Sequence, residues 1–484
     1  MAKKIFVTLY LLYALFFIYN TSVVVQGQRY FLLADDAVIS MQYAKNMAAG
    51  HGLKWSLDSK VEGITNPLWT LYMSIPHFLN IPLSKTALFI QFTALLLMFL
   101  TLKYVWNISK SMTAVFFTAF FYKMNYWFYS GLEVSILTFL TVFVVYLVLK
   151  EDNPVKIYFI CGLMTLIRID MALFFAATIL IYRKNWIKGL VILFIFMAAQ
   201  TLARYLYFRD LLPNTYYLKM YGYELHHRLF RGIITFFNNL YFMNWIPFAA
   251  IIAFIKSKEQ KIMFSYICIP ILYSFYIGGD AWEASGGTNR FVTAVIPLFF
   301  ILFAGSFYRI MELLQIKNKM VIYILLSAIF INMNSLTGPK SLKNLISPGA
   351  EVKASANTLN IALYLKNNFN DDVTIAGQGA GVLPYFSEKK YFVDLLGKND
   401  SHIAKMKVSV IKTWWDALTK APGHMKYDQQ YSIADKKPDI IVHHVLDGVI
   451  DSYLEENYIE SKQPGFSFVW FKKGLKKINN TLPE

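Results

Sequence analysis

Long apolar runs alternate with short polar loops over the first two thirds of the chain. Most runs approach the length of about 20 residues that a helix needs to cross a bilayer. The pattern predicts about eleven membrane spans, at roughly 5–25, 84–106, 111–128, 132–150, 156–169, 170–183, 188–208, 233–255, 262–278, 291–311 and 319–336. The apolar segment 67–78 is predicted to be a juxtamembrane or re-entrant helix. Whether the short runs 156–169 and 170–183 cross fully stays open.

Lysine and arginine residues concentrate in alternate loops, as the positive-inside rule describes for cytoplasmic loops. These basic loops lie at 3–4, 103–110, 150–156, 183–188, 256–261 and 317–319. The first run follows Lys3 and Lys4 and lacks a small-residue cleavage site, which favours a retained signal anchor. We therefore expect the N-terminus in the cytoplasm and the C-terminus outside it.

Prolines, charged residues and short alternating runs replace the long apolar runs after residue 338. Strands are predicted at 373–376, 391–395 and 439–443, and a helix at 355–367. This segment is long enough for a core of its own. The chain is thus predicted to be a polytopic α-helical membrane protein over 1–337, followed by an extracytoplasmic α/β domain over 338–484.

The composition agrees with a membrane protein, because 56% of the 484 residues are hydrophobic and the mean hydropathy is +0.41. The net charge of +17 could suggest a nucleic-acid partner, but the basic loops account for most of it. No nucleic acid is therefore expected. Cys161 and Cys268 both fall inside predicted spans, so they provide neither a disulfide framework nor a metal cluster.

Two adjacent carboxylates, Asp35 and Asp36, follow the first span and precede a helical pattern that stops at Gly50. One aspartate is enough to cap a helix, and adjacent residues do not share a helix face. We therefore assign one carboxylate to the cap and the other to a polar headgroup carried by a lipid. That carboxylate could accept a proton or hold a divalent cation such as Mg²⁺, Mn²⁺ or Ca²⁺. Asp35 is the better candidate for chemistry, and Asp36 depends more on the helix start.

Other polar side chains of the same loop could reach such a headgroup. His51 and Lys54 follow the helix, with an exposed, solvated turn as an equal alternative. Glu62 has few obvious partners beside its apolar neighbours, in the turn that Gly63 and Pro67 shape. Glu62 is the third catalytic candidate.

A second outward loop mixes cations, amides and aromatic side chains at the end of a span. It carries Asn214, Tyr216, Tyr217 and Lys219. The lysine suits a phosphate, and the other three are candidates for substrate binding. The two tyrosines could instead belong to the aromatic belt at a membrane interface.

A third outward loop contains Asp280 and ends at Arg290, on the side where the positive-inside rule gives no reason for a cation. Arg290 is therefore a phosphate candidate and Asp280 a substrate-binding one. At two further junctions, Glu133 could bind substrate or cap a helix, and Arg168 could bind phosphate or pair with Asp170.

Taken together, these loops resemble the arabinofuranosyltransferase B-like family of the GT-C glycosyltransferases. The matching pieces keep their order along nearly the whole chain: Asp35-Asp-Ala37, Gly50-His-Gly-Leu53, Val61-Glu-Gly63, Thr65-Asn-Pro-Leu-Trp69, Ser130-Gly-Leu-Glu133, Leu212-Pro-Asn-Thr-Tyr-Tyr217 with Lys219, Gly278-Gly-Asp280, Arg290-Phe291, Gly379-Ala-Gly381, Pro384-Tyr385, Val393-Asp-Leu-Leu-Gly397, Asn399-Asp400 and Gly423-His424. The chain departs from the family at Arg168-Ile-Asp170, where Arg-Pro-Glu is usual, and over 282–288 before Arg290.

The resemblance implies a GT-C fold, a polyprenyl-monophosphate sugar donor, first-loop aspartates at the catalytic centre and a C-terminal domain that binds the acceptor. In that domain Asp394, Asn399 and His424 would contact the substrate. The protein would then lie in the bacterial inner (cytoplasmic) membrane. It would transfer a sugar, with arabinofuranose as one candidate, to an extracytoplasmic glycan, lipid-linked glycan or glycoprotein.

Two other classes of function stay open from the sequence. A transporter or a flippase of lipid-linked sugars would also place polar residues in a helical bundle, but it should show internal repeats and ionisable groups near mid-membrane. A non-catalytic glycan-binding or assembly protein would bind a donor without turnover. The glycine-rich segment 377–381 is not predicted to bind a dinucleotide, since its glycine spacing is wrong and no clear helix follows.

Overall fold

The computed structural model describes residues 2–243, 245–281, 283, 289–334, 350–408, 413–444 and 448–478. The part before residue 335 is helical apart from one short hairpin. Its helices are α1 Ala2–Asn20, α2 Asp35–Ala48, α3 Pro67–Met73, α4 Ile75–Phe78, α5 Thr86–Ser109, α6 Met112–Phe120, α7 Tyr122–Tyr129, α8 Val134–Leu149, α9 Pro154–Ile167, α10 Met171–Tyr182, α11 Trp186–Phe208, α12 Asn214–Met220, α13 Leu225–Met243, α14 Trp245–Phe254, α15 Lys258–Ile277, α16 Arg290–Thr293, α17 Ile296–Leu313 and α18 Lys319–Asn334.

Four of the described helices, α5, α11, α15 and α17, are long and apolar enough to cross a membrane. A fifth span results if α7 and α8, which meet at a bend of 115°, count as one. Four shorter apolar helices accompany them, and the count of eleven spans stays a prediction. Phe194 on α11 is 73% exposed and Leu202 58%, as expected for side chains that face lipid.

Two predicted spans differ in detail from the structure. The first helix ends at Asn20, because β1 (Ser22–Val25) pairs antiparallel with β2 (Gln28–Phe31). The predicted span 111–128 is two helices, α6 and α7, which break at Phe121. The segment 67–78 forms the short helices α3 and α4, in agreement with the prediction that it is not a full span.

The described C-terminal residues form an α/β unit. Its elements are α19 Ala350–Asn368, β3 Thr374–Gly377, α20 Val382–Ser387, β4 Tyr391–Asp394, α21 Ser401–Lys405, α22 Trp414–Thr419, a π-helical turn Gln430–Asp435, β5 Ile440–Val442, α23 Asp451–Asn457, β6 Tyr458–Glu460 and β7 Val469–Lys472. The strand order is β4-β3-β5-β7-β6, with β3 parallel to β4 and β5 and the other pairs antiparallel. This confirms the three predicted strands within about a residue. The predicted domain boundary at 337/338 lies outside the described residues.

The segment between α1 and α5 and the C-terminal unit share one hydrophobic core. Met41 and Tyr43 of α2 belong to the same buried cluster as Leu359 of α19 and Ile375 of β3. Hydrogen bonds add to the contact, since Trp55 Nε1 donates to the Ala380 carbonyl at 2.7 Å. The C-terminal unit is therefore packed directly on the loop that carries the two aspartates.

Candidate functional site

The two aspartates occupy the first turn of α2, but neither caps it. Ala34 is the N-cap residue, and no side chain accepts a hydrogen bond there. The interpretation of one aspartate as the cap is therefore wrong. Neither carboxylate is used to cap the helix, and both lie at its first turn, where the helix dipole favours negative charge.

Asp36 lies between two cations that come from distant parts of the chain. Its Oδ2 pairs with Arg290 Nη1 at 2.9 Å, and its Oδ1 pairs with Lys398 Nζ at 2.5 Å. The three side chains are 10–19% exposed, so water reaches the group. Burial alone would raise the pKa of Asp36, but the Lys398 and Arg290 charges outweigh it and hold that pKa well below its usual range. We call Asp36, Arg290 and Lys398 the Asp36 cluster.

Arg290 is held in place by its own loop. Asp280 Oδ2 lies 3.3 Å from Arg290 Nε and accepts the Arg290 backbone N–H at 3.2 Å. Asp280 in turn donates its N–H to Glu283 at 2.7 Å, and Asn289 caps α16 through its side chain. Asp280 is 2% exposed and Glu283 1%. Asp280, predicted to bind substrate, is thus placed to fix Arg290.

Asp35 faces the C-terminal unit. Its Oδ1 accepts the backbone N–H of Val382 at 2.8 Å, at the start of α20. Gly381 approaches so closely that a Cβ atom there would collide with the Asp35 backbone oxygen. A helix therefore does follow the glycine-rich segment, contrary to the sequence analysis, and its amide groups receive a carboxylate. Burial raises the pKa of Asp35, against the opposing effects of Lys398 and of the Val382 N–H.

Lys219 and His424 lie beside the Asp36 cluster. Lys219 Nζ is 5.6 Å from the centre of the Phe291 ring, and its side chain packs under Gly423. Burial, reinforced by the Arg290 charge, lowers the pKa of Lys219 to about 7. The surrounding protein and the Lys398 charge lower the pKa of His424 to about 4. At neutral pH the imidazole is uncharged, and Lys219 is near half protonation.

Three residues predicted to bind substrate are buried and hold the loop that carries Lys398. Asp394 accepts hydrogen bonds from the N–H groups of Leu396, Gly397 and Asn399, at 2.7–3.1 Å. Asn399 accepts a bond from the Tyr43 hydroxyl at 2.9 Å. The Asn214 amide donates to three carbonyl groups, those of Gly397, Lys398 and Asp400. Asp394, Asn399 and Asn214 are at most 5% exposed, so the loop backbone is fixed.

The expectation that Glu62 has few partners is wrong. Arg204 of α11 pairs with it, Nε to Oε2, at 2.5 Å, and both side chains are 4% exposed. No local pattern indicates this contact, because Arg204 lies 142 residues away in a long, mostly apolar helix. A closed pair of this kind fits a structural role for Glu62 better than a catalytic one.

Glu133 and Arg168 form a second charged group with Asp170. Arg168 binds Glu133 at 2.7 Å and Asp170 at 2.8 Å, and Asn66 donates to Glu133 at 2.7 Å. The predicted alternative, in which Arg168 pairs with Asp170, is therefore confirmed. Two carboxylates thus neutralise Arg168, in the same way that Asp36 and Asp280 pair with Arg290. Arg168 also stacks on the Phe291 ring at 4.7 Å, which joins this group to the Asp36 cluster.

The remaining candidates lie at the surface. His51 is exposed beyond the far end of α2, roughly 18 Å along the helix from Asp36 at 1.5 Å per residue. It does not share a site with Asp36. Tyr216 is 39% exposed, and Tyr217 donates to Asp210 at 2.7 Å beside Lys405. Neither tyrosine is in the Asp36 cluster.

The aspartates do not suit a divalent cation. Both oxygens of Asp36 already face cations, and a metal ion would have to displace Lys398 or Arg290. One oxygen of Asp35 accepts the Val382 N–H. Within the described ranges, side chains that could share a metal ion lie at Glu224, His226 and His227, at the start of α13.

Sequence reasoning missed Lys398, although its neighbours on both sides were named. A lone lysine in a soluble-looking segment is normally read as a solvated side chain. A signal was present in the turn itself, where Asp394, Gly397 and Asn399 are typical of a tightly bonded loop.

Comparisons with known proteins identify a similar fold. A family model described as Domain of unknown function (DUF8728) matches residues 347–479. No curated protein is significantly similar to the chain in sequence. Among solved structures, the chain is similar to the crystal structure of ArnT from Cupriavidus metallidurans bound to undecaprenyl phosphate, at TM-score 0.56 and 10% identity over 95% of this chain and 97% of that one. The chain therefore has an ArnT-like fold over nearly its whole length. The arabinofuranosyltransferase B-like branch stays a prediction.

Proposed function

We propose that this chain is a membrane glycosyltransferase. It transfers a sugar from a polyprenyl-monophosphate donor to an extracytoplasmic glycan, lipid-linked glycan or glycoprotein. The observation that carries the proposal is a water-accessible carboxylate, Asp36, between Arg290 and Lys398 and beside Lys219. The ArnT structure contains undecaprenyl phosphate, so this class of lipid phosphate is the first ligand to test.

The chemistry follows from the charges. A hydroxyl group of the acceptor attacks the anomeric carbon of the sugar, and its proton passes to the carboxylate of Asp36. The bond from that carbon to the phosphate oxygen breaks, and the electron pair stays on the phosphate. The leaving phosphate therefore gains one negative charge, which Arg290 and Lys219 stabilise. Asp36 is favoured over Asp35 as the base because it lies between the cations that would meet the phosphate, whereas Asp35 faces the α20 backbone.

The finer parts of the proposal come from the sequence. Arabinofuranose is the first sugar to test, because the resemblance of the loops implies it. The C-terminal domain is proposed to lie outside the cytoplasm, to bind the acceptor and to cover the reaction side of an inner-membrane protein. The contacts of α20 with Asp35 and of Lys398 with Asp36 support a place beside the reacting groups.

The test is turnover of purified protein in lipid nanodiscs with a panel of polyprenyl-phosphate pentoses and hexoses, arabinofuranose included. The expected result is release of polyprenyl phosphate with at least one donor and a soluble glycan acceptor. Asp36→Asn protein of normal melting temperature is the control. If folded wild-type protein consumed no donor but moved a labelled donor across vesicle membranes, the flippase alternative would replace the proposal.

A further inference from the structure

Lys398 is the cation that the C-terminal domain brings to the Asp36 cluster. It lies in the loop after β4, and its Nζ is 2.5 Å from Asp36 Oδ1. Its backbone is held on two sides, since Asn214 donates to the Lys398 carbonyl and Asp394 binds the neighbouring amides. The Lys398 side chain is therefore flexible, whereas the backbone that carries it is held in place.

The two cations that bind Asp36 differ in how firmly they are held. Arg290 has a second carboxylate, Asp280, on its Nε and its backbone N–H, and its guanidinium lies 5.4 Å from the Phe291 ring centre. Lys398 has Asp36 as its ion-pair partner within the part of the chain that the structure describes, and its side chain is 17% exposed. Lys398 can therefore leave Asp36 at a lower cost than Arg290 can.

We propose that Lys398 exchanges partners during the reaction, leaving Asp36 for the phosphate of the lipid-linked donor and so freeing Asp36 to accept the proton of the acceptor. This rests on the proposed function. Two cations make Asp36 a weak base in the free protein, and the leaving phosphate needs an additional positive charge as its bond to the sugar breaks. Movement of the Lys398 ammonium group from Asp36 to the phosphate makes Asp36 a stronger base and stabilises the leaving phosphate.

The step balances without any other reactant. The acceptor oxygen forms its bond to the anomeric carbon and gives its proton to Asp36. The bond from that carbon to the phosphate oxygen breaks, and the phosphate leaves as a monoester. Its added negative charge is met by the Lys398 ammonium. After the product leaves, Asp36 loses its proton to water and pairs with Lys398 again.

The test uses the full chain in nanodiscs with Lys398→Met and Lys398→Arg. Lys390→Met is the matched control, because Lys390 lies in the same domain and forms an exposed ion pair with Asp372 at 2.9 Å. We expect kcat of Lys398→Met to fall by roughly 100-fold, that of Lys398→Arg to stay within about tenfold of wild type, and the control to be unchanged. All variants should melt normally.

The pH profile separates exchange from a fixed ion pair. The profile of kcat/KM reports the free protein, and that of kcat reports the complex with substrate. In Lys398→Met the acid limb of kcat/KM should shift to higher pH by about one unit or more, because the loss of one cation raises the pKa of Asp36. The acid limb of kcat should stay in place, since Lys398 has already left Asp36 in the wild-type complex. The groups that face Asp36 are Asp35, Lys398, Arg290, Lys219 and His424.

A binding measurement tests the phosphate contact without turnover. Undecaprenyl phosphate should bind wild-type protein and the Lys390→Met control alike, and Lys398→Met about tenfold more weakly. Equal Kd values for wild type and Lys398→Met, or an equal shift of both acid limbs, would overturn the exchange while the glycosyltransferase proposal stood. Wild-type protein that neither bound this lipid nor turned over any donor would instead remove the proposed function.

Discussion

Asp36 and Glu62 both lie between α1 and α5, and both pair with an arginine of a later helix, yet their surroundings differ. Glu62 and Arg204 are each 4% exposed and form a closed pair. Asp36 is 19% exposed, and Lys398 binds it as well as Arg290. An ion pair that excludes water holds two segments together, whereas a partly exposed carboxylate such as Asp36 is accessible to a ligand. Water access and the number of ion-pair partners, more than residue type, distinguish the structural carboxylate Glu62 from the proposed catalytic one, Asp36.

The largest effect is expected at the closed pair. Glu62→Gln leaves the Arg204 charge buried without its carboxylate, so the free energy of unfolding should fall by about 3 to 5 kcal/mol. The measurement is unfolding in mixed detergent micelles, with kcat determined on the protein that stays folded. Replacing both residues by methionine should recover most of the stability. A stable but inactive Glu62→Gln protein would place Glu62 among the catalytic residues after all.

The next effect is on turnover at the Asp36 cluster. Asp36→Asn should keep the fold, since asparagine has nearly the same shape, while kcat falls by roughly 100-fold or more, or about 2.7 kcal/mol. The measurement is steady-state release of polyprenyl phosphate at saturating donor. Near-normal kcat in protein of normal melting temperature would mean that Asp36 is as structural as Glu62.

A smaller effect concerns the pH dependence of donor binding. The lowered pKa of Lys219, about 7, makes this lysine a cation below pH 7 and increasingly neutral above it. A donor phosphodiester keeps one negative charge over this range, so its Kd should rise about tenfold from pH 6 to pH 8. Lys219→Arg should bind equally at both values, because arginine stays charged. The same rise in the arginine variant would assign the titration to another group.

The smallest effect is expected at Asp35. Asparagine can still accept the Val382 N–H, so Asp35→Asn should reduce kcat only about threefold, or roughly 0.6 kcal/mol. Gly381→Ala tests the same contact from the other side and should lower the melting temperature, because its Cβ collides with Asp35. If Asp35→Asn were as inactive as Asp36→Asn, the sequence-based preference for Asp35 would be restored.

The fold was easier to predict than the site. Apolar runs and alternating strands depend on local periodicity, so helix α2, which ends just before Gly50, and strands β3, β4 and β5 were predicted within a few residues. Strands β6 and β7 and the hairpin of β1 and β2 were missed. The apolar residues of β1 directly continue the apolar run of α1, so they were counted in the predicted first span 5–25. The number of spans stays a prediction, because an apolar helix shorter than the bilayer can either cross the membrane or pack inside the protein.

The sequence by itself determined that the chain is a membrane protein, that polar loops gather carboxylates and cations, and that an α/β unit follows. Only the tertiary structure decided which charges meet. Asp36 and Lys398 are 362 residues apart in the chain, and no local pattern encodes their contact. The same packing turned Asp394, Asn399 and Asn214 from substrate-binding candidates into supports of the loop. Periodicity is a property of neighbouring residues, whereas partner choice and water access arise when distant segments bury one another.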